Sequence, residues 1–283
     1  MSAREPGKGS LGARVVPVDG KPDGRCQITY IGGPTALIEI GSVRLLTDPT
    51  FDPAGGKYSF GFGTGSRKTA GPAIKAEDIG ALDAILLSHD QHDDNLDARG
   101  RETLGGARTV LTTLAAERRL KENAVGLRNW ETARVVAPSG HSVTVTAMPA
   151  RHGNMGASLL SGPAIGFLLE WPGQVHGGLY ITGDTVYFGG LGEIGERFKV
   201  SAGVFHFGSV RFPISGPARF TMNGTEGVRL ARMLGVRTVV PLHFEDWAHF
   251  REPAARINEV FAAAGEEDLL HWPQRGEAIE IEV

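Results

Sequence analysis

Residues 82–97 read Leu82-Asp-Ala-Ile-Leu-Leu-Ser-His-Asp-Gln-His-Asp-Asp-Asn-Leu-Asp97. The apolar run 82–87 has the length and composition of a buried strand, and it passes at once into His89, His92, several carboxylates and the amide of Asn95. Imidazole nitrogen and carboxylate oxygen are the donors that zinc and related divalent ions take, so a metal site is expected at the carboxyl end of this strand.

Three further strand-like runs end in the same way: Val145-Thr-Ala-Met-Pro-Ala-Arg-His152, Leu179-Tyr-Ile-Thr-Gly-Asp184 and Val239-Val-Pro-Leu-His243. In open sheets, sites form beyond the carboxyl ends of strands, where residues remote in sequence converge on one edge. Four strand ends are therefore expected to supply one cluster.

Working outward, short β-type runs at 28–31, 36–40 and 43–46 are separated by Gly32-Gly33 and Gly41-Ser42, which reads as an antiparallel meander with a tight second turn. Later strands are expected at 82–87, 108–112, 133–137, 142–148, 164–170, 178–182, 202–206, 236–240 and 277–282. Helices are expected near 97–104, 113–121 and 253–263. The clearest helix is 224–234, with Asn223 as its cap, Glu226 completing a capping box and Gly235 ending it. A meander followed by alternating strands and helices predicts a mixed-sheet α/β protein rather than a purely doubly wound one. Residues 51–72 hold six glycines together with Tyr58, Phe60 and Phe62, too long for an ordinary connection; they read either as a loop covering a site or as a plain surface loop.

Composition sets the frame. At 283 residues, 41% hydrophobic and 22% charged, the chain suits a soluble globular protein with a large core. Residues 1–24, rich in Gly, Pro and charge, read as a flexible arm, and 25–283 as one domain. A net charge of -3 supplies no global basic field, so wholesale binding to nucleic acid or anionic lipid is disfavoured. The lone Cys26 cannot form an internal disulfide and reads as a buried small residue. No signal-peptide pattern and no membrane-length apolar stretch is present in the sequence, which makes the cytoplasm the expected location. Homo-oligomerisation is left open.

Among the other histidines, His141, His176 and His271 stand in turn-like contexts and read as surface residues. His206, inside Val204-Phe-His-Phe207, reads as a core or a site histidine. His249, shortly after Trp247, reads as pocket-lining or solvent-facing.

The ordered series Thr47-Asp-Pro49, 88–97, Pro149-Ala-Arg-His152, Gly183-Asp-Thr185 and Pro241-Leu-His-Phe244 resembles the metallo-β-lactamase superfamily, in particular the branch of ascorbate-phosphate lactonases and N-acyl-phosphatidylethanolamine phospholipase D. That resemblance implies an αββα sandwich of two mixed sheets flanked by helices, and a hydrolase using metal-activated water on a small-molecule ester, lactone or phosphodiester. It implies two divalent ions, zinc or manganese. His89, His92 and His152 would hold the first, Asp184 would bridge, and Asp94 and His243 would hold the second and serve catalysis. The family pattern His-x-His-x-Asp-His is met here if Gln91 is an insertion, which places His92 on the second histidine and Asn95 on the last. An ungapped reading places Gln91 on the second histidine instead. An amide is a poorer donor than imidazole, so the second site is expected to be weaker or to favour a harder metal. Asp48 reads as a support for the site or as a turn residue before Pro49. Arg151, Tyr187, Arg211 and Trp247, with His206 and His249, are the candidate substrate contacts by sequence proximity. The family's Gly-His-Ala-Thr segment is Gly32-Gly-Pro-Thr35 here, lacking its histidine. A nuclease of the same superfamily and a catalytically weak metal- or ligand-binding protein are the alternative readings.

Overall fold

The computed structural model describes residues 23–154 and 156–283, so that the arm expected at 1–24 falls almost wholly outside the described residues. In chain order the first half holds β1 (Arg25–Gly32), β2 (Thr35–Ile40), β3 (Val43–Thr47), β4 (Lys57–Gly61), β5 (Thr64–Arg67), α1 (Ala76–Ile79), β6 (Ala84–Leu86), α2 (Ala98–Thr103), β7 (Val110–Thr113), α3 (Leu114–Leu120) and β8 (Ala124–Leu127). The second half holds β9 (Thr132–Val136), β10 (Ser142–Pro149), α4 (Ser158–Ser161), β11 (Ile165–Glu170), β12 (Gly178–Ile181), α5 (Gly192–Arg197), β13 (Val200–His206), α6 (Gly224–Leu234), β14 (Thr238–Leu242), α7 (Ala254–Ala263) and β15 (Ala278–Glu282).

Two mixed sheets carry the fold. The first has the order β15-β1-β2-β3-β6-β7-β8 and the second the order β14-β13-β12-β11-β10-β9. In each, a run of antiparallel pairs passes into parallel ones: β3, β6, β7 and β8 run together, as do β12, β13 and β14. Strand alternation assigns the faces. Ala36, Ile38, Leu45, Ala84 and Leu86 join Val145, Phe167, Leu179 and Val204 in one core shared by the sheets. The neighbours Leu37, Leu46, Ile85 and Leu87 face the other way, onto a second cluster with Ile79 of α1 and Leu104 just beyond α2. Helices α5, α6 and α7 add Ile194, Leu230 and Phe261 to the larger core. The result is the expected layering of two mixed sheets flanked by helices.

Local chemistry explains the elements that were legible. The two-residue Gly41-Ser42 turn joins Ile40 to its partner Val43. At α6 the Asn223 side chain accepts from the Glu226 N–H at 2.9 Å, the Glu226 carboxylate answers at the Asn223 N–H, and Gly235 closes the helix with φ 65°. Contrary to the expected loop, the 51–72 segment contains the two-stranded β4–β5 hairpin. Its glycines obscured a pattern of only four or five residues per strand. Short β8, α1 and α5 carried no readable period.

Cys26 is buried in the core shared by the sheets, and burial together with the Glu280 carboxylate pushes its thiol well up. The native protein is expected not to react with an aromatic disulfide reagent at pH 8, and to release one equivalent only on denaturation. Rapid native labelling would contradict the burial. No helix among the described residues is long and apolar enough to cross a membrane.

Candidate metal centre

The parallel strands share one edge, and the chemistry-bearing residues follow their ends: Asp48 after β3, His89 after β6, His152 after β10, Asp184 after β12, His206 ending β13 and His243 after β14. The turns there are tight. Asp48 and His243 are non-glycine residues with φ 27° and 57°, conformations that cost free energy and survive where surroundings dictate them. Gly183 takes φ 57°, and a Cβ on it would lie 2.6 Å from the Ile165 carbonyl, so the residue before Asp184 must be glycine.

Three imidazoles meet first. His92 Nδ1 lies 3.1 Å from His89 Nε2 and 3.0 Å from His152 Nε2. The outer nitrogens are held by oxygens: His152 Nδ1 faces the Phe220 carbonyl at 3.0 Å, and His89 Nδ1 faces Ser88 Oγ at 3.0 Å. With protons directed to those oxygens, the two Nε2 atoms carry bare lone pairs. A single proton on His92 satisfies only one of them, whereas a cation satisfies all three. Burial, then the neighbouring His152 and His92, holds His89 well below the usual histidine range, and burial with His152 lowers His92 to about 4. Neutral imidazole is the metal-binding form.

Asp94, Asp184 and His243 form a second group, all buried. His243 Nε2 lies 3.6 Å from Asp94 Oδ2 and 3.5 Å from Asp184 Oδ2 and has no hydrogen-bond partner among the described residues. Its Nδ1 faces the Phe207 carbonyl at 3.4 Å. Burial raises both carboxyls. At Asp94 the facing imidazoles of His243 and His249 outweigh this, and at Asp184 the His243 charge and the His206 hydrogen bond do so; both stay well below the usual carboxylate range. Burial opposes charge on His243 too, but the same carboxylates lift it to about 9. An orphaned nitrogen between two buried carboxylates fits a divalent ion.

The remaining candidates fall into place around these groups. Asp48 Oδ1 accepts the Ser88 N–H at 2.7 Å, fixing the entry to the histidine loop; burial raises its pKa well above normal despite that bond. Asn95 is buried, with Nδ2 3.4 Å from Ser88 Oγ and Oδ1 without a partner among the described residues. Gln91 points elsewhere: its Oε1 accepts from the Asp90 N–H and its Nε2 donates to the Pro163 carbonyl. His206 is fully buried, Nδ1 3.0 Å from Asp184 Oδ1 and its ring stacked on His243. His249 is also buried, with Nε2 3.0 Å from Asp94 Oδ2 and Nδ1 2.6 Å from Ser66 Oγ on β5.

A cavity of about 480 Å³ opens onto His92, Asp94 and His152. Phe60, Phe62, Val210, Phe212, Ile214 and Phe220 supply its apolar walls. Arg151, Tyr187, Arg211 and Trp247 do not line it. The Arg151 guanidinium lies over the Phe188 ring, the Tyr187 hydroxyl meets Met233 Sδ, Arg211 is exposed, and Trp247 packs behind Tyr58 and Phe60. Sequence reading did not single out Ser88, Ser66, Phe212 or Phe220. The carbonyls of Phe207 and Phe220 carry no sequence signal at all.

The buried neutral histidines set a pH dependence. His92 and His89 have lowered folded-state pKa values, so the unfolded chain binds more protons below pH 6.5. Their contribution is present above about pH 6.5 and lost toward about pH 4. Chelator-treated protein is expected to melt at a lower temperature at pH 5 than at pH 7.5, and an unchanged or higher melting temperature at pH 5 would contradict this assignment. His243 acts in the opposite sense, its contribution being lost as pH rises through about 9.

Residues 43–244 match the family described as the beta-lactamase superfamily domain. The chain belongs to that family and, with it, to the metal-dependent hydrolases. It is similar to a metal-dependent hydrolase of Rubrobacter xylanophilus, 29% identical over 231 residues, covering 78% of this chain and 82% of the relative. It is also similar to N-acyl-phosphatidylethanolamine-hydrolyzing phospholipase D 1 of Caenorhabditis elegans, 25% identical over 268 residues, covering 85% of this chain and 70% of that one. Among solved structures, an isothiocyanate hydrolase from Delia radicum gut bacteria superposes with a TM-score of 0.72 at 22% identity, covering 91% of this chain and all of that one, a likeness of fold.

Proposed function

We propose that the protein hydrolyses small, uncharged esters or lactones bearing an apolar group, using two divalent ions held by His89, His92, His152, Asp94, Asp184 and His243. The cavity carries this reading. Its walls beyond the ligand groups are mostly aromatic and aliphatic, with Thr64, Ser161 and Ser215 among them, and among the described residues no Lys or Arg lines it. The walls favour a neutral apolar group, and an anionic group away from the reacting centre would be desolvated there without a counter-charge, which disfavours nucleic acid and other polyanions.

Divalent ions held by these residues would supply a water whose pKa is lowered from roughly 16 to roughly 7 and a Lewis acid for the substrate carbonyl. The protein's own residues orient the reactants. Asp94, on the cavity wall, accepts a hydrogen bond from the attacking water and aligns it. His243 is fully buried and off the cavity wall, so it holds the centre together without touching substrate. Phe60, Phe212 and Phe220 bury the apolar portion of the substrate, while Phe62 and Ile214 flank the mouth, largely exposed.

Assays with a neutral aryl ester, an alkyl-substituted lactone and an aryl phosphodiester, each with added zinc or manganese, test this. The neutral substrates are expected to exceed the phosphodiester in kcat/KM by about 100-fold or more, and Phe212→Ala to raise KM for them by about tenfold, the scale of a hydrophobic pocket contact. Preference for the phosphodiester would sink the substrate reading.

A further inference from the structure

We propose that His249 is a protein donor of the second metal group, supplying from the 243–250 segment the imidazole that Asn95 does not. The inference rests on the dinuclear reading above and adds a residue to it. His249 is built like the histidines of the centre. In His89, His152 and His243, Nδ1 is held by an oxygen while Nε2 is turned toward the ligand cluster. His249 repeats this: Ser66 Oγ lies 2.6 Å from Nδ1, and Nε2 lies 3.0 Å from Asp94 Oδ2.

With the Nδ1 proton donated to Ser66 Oγ, that contact sets a bare nitrogen against a buried carboxylate oxygen. Two acceptors at this separation are stable only with a proton or a cation between them. The ring is held by packing. Phe212 stacks on it at 5.3 Å and 12°, and Phe60, Trp247 and Phe250 meet it edge-on. Ser66 and Phe60 both belong to the β4–β5 hairpin, so this hairpin fixes the second metal group as well as walling the cavity.

Chelator-stripped protein titrated with zinc, and separately with manganese, in competition with a chromophoric chelator, gives the number and affinity of bound ions. Wild type is expected to bind two. In His249→Ala and His249→Phe, the latter keeping a ring against Phe212, the first ion is retained and the second weakens by about 100-fold or more. Asn95→His in the His249→Ala background is expected to restore about tenfold or more of that loss. If both single variants fold and hold the second ion within about threefold of wild type, His249 only positions Asp94 and the proposal fails. Wild type binding fewer than two ions overturns the dinuclear reading itself, a separate outcome.

Discussion

His92→Ala is expected to remove one metal ion and to lower kcat/KM by about a thousandfold or more, whereas Gln91→Ala leaves both within about threefold. The contrast follows from where the two side chains go. His92 Nδ1 sits 3.1 and 3.0 Å from the nitrogens of His89 and His152, at the meeting point of the first group. Gln91, one residue earlier, hydrogen-bonds the Asp90 N–H and the Pro163 carbonyl and lies against Gly162. Loss of an ion that polarises the substrate removes several kcal/mol of transition-state stabilisation, and each 1.36 kcal/mol is about a factor of ten. Metal content and steady-state rates of the two variants, measured side by side, check this. A Gln91→Ala protein that loses an ion while His92→Ala keeps both would reverse the alignment that treats Gln91 as the insertion.

Asp97→Ala is expected to destabilise the fold by about 3–5 kcal/mol, the cost of leaving a buried partner charge alone. Asp97 is fully buried and accepts four donors: the N–H groups of Phe51 at 2.9 Å, Asp52 at 2.7 Å and Gly100 at 2.8 Å, and Lys68 Nζ at 2.8 Å. It therefore caps α2, anchors the segment after β3 and neutralises Lys68, itself only 2% exposed. Alanine strands the ammonium and three N–H groups together. Because Asp97 closes the loop that carries His89, His92 and Asp94, metal affinity is expected to fall along with stability. Denaturant unfolding of metal-free wild type and variant measures the first effect, and a loss under about 1 kcal/mol would contradict the buried-pair assignment.

What the sequence made legible was the part governed by local rules. The strand ends at His89, His152, Asp184 and His243, the capping box of α6 and the Gly41-Ser42 hairpin each have a short-range cause, and the structure contains each of them. The six candidate ligands fall into two spatial groups because parallel strands share one edge. The β4–β5 hairpin was hidden by its glycines and brevity, and with it the placement of Phe60 and Ser66. Nearness in sequence misled at Arg151: it adjoins His152, but its guanidinium lies over the Phe188 ring and does not line the cavity. His249 was visible as a histidine near the site, yet its position at Asp94 depends on Ser66, 183 residues away in sequence, and on Phe212. Only the folded chain shows that relation.

Metal analysis of protein purified without chelator, repeated after stripping and reloading with zinc or manganese at micromolar supply, bears most directly on the dinuclear centre. The six clustered side chains should hold two divalent ions per chain, falling to one or none in Asp184→Ala. A wild-type protein that carries no stoichiometric metal and takes up none on reloading would contradict it.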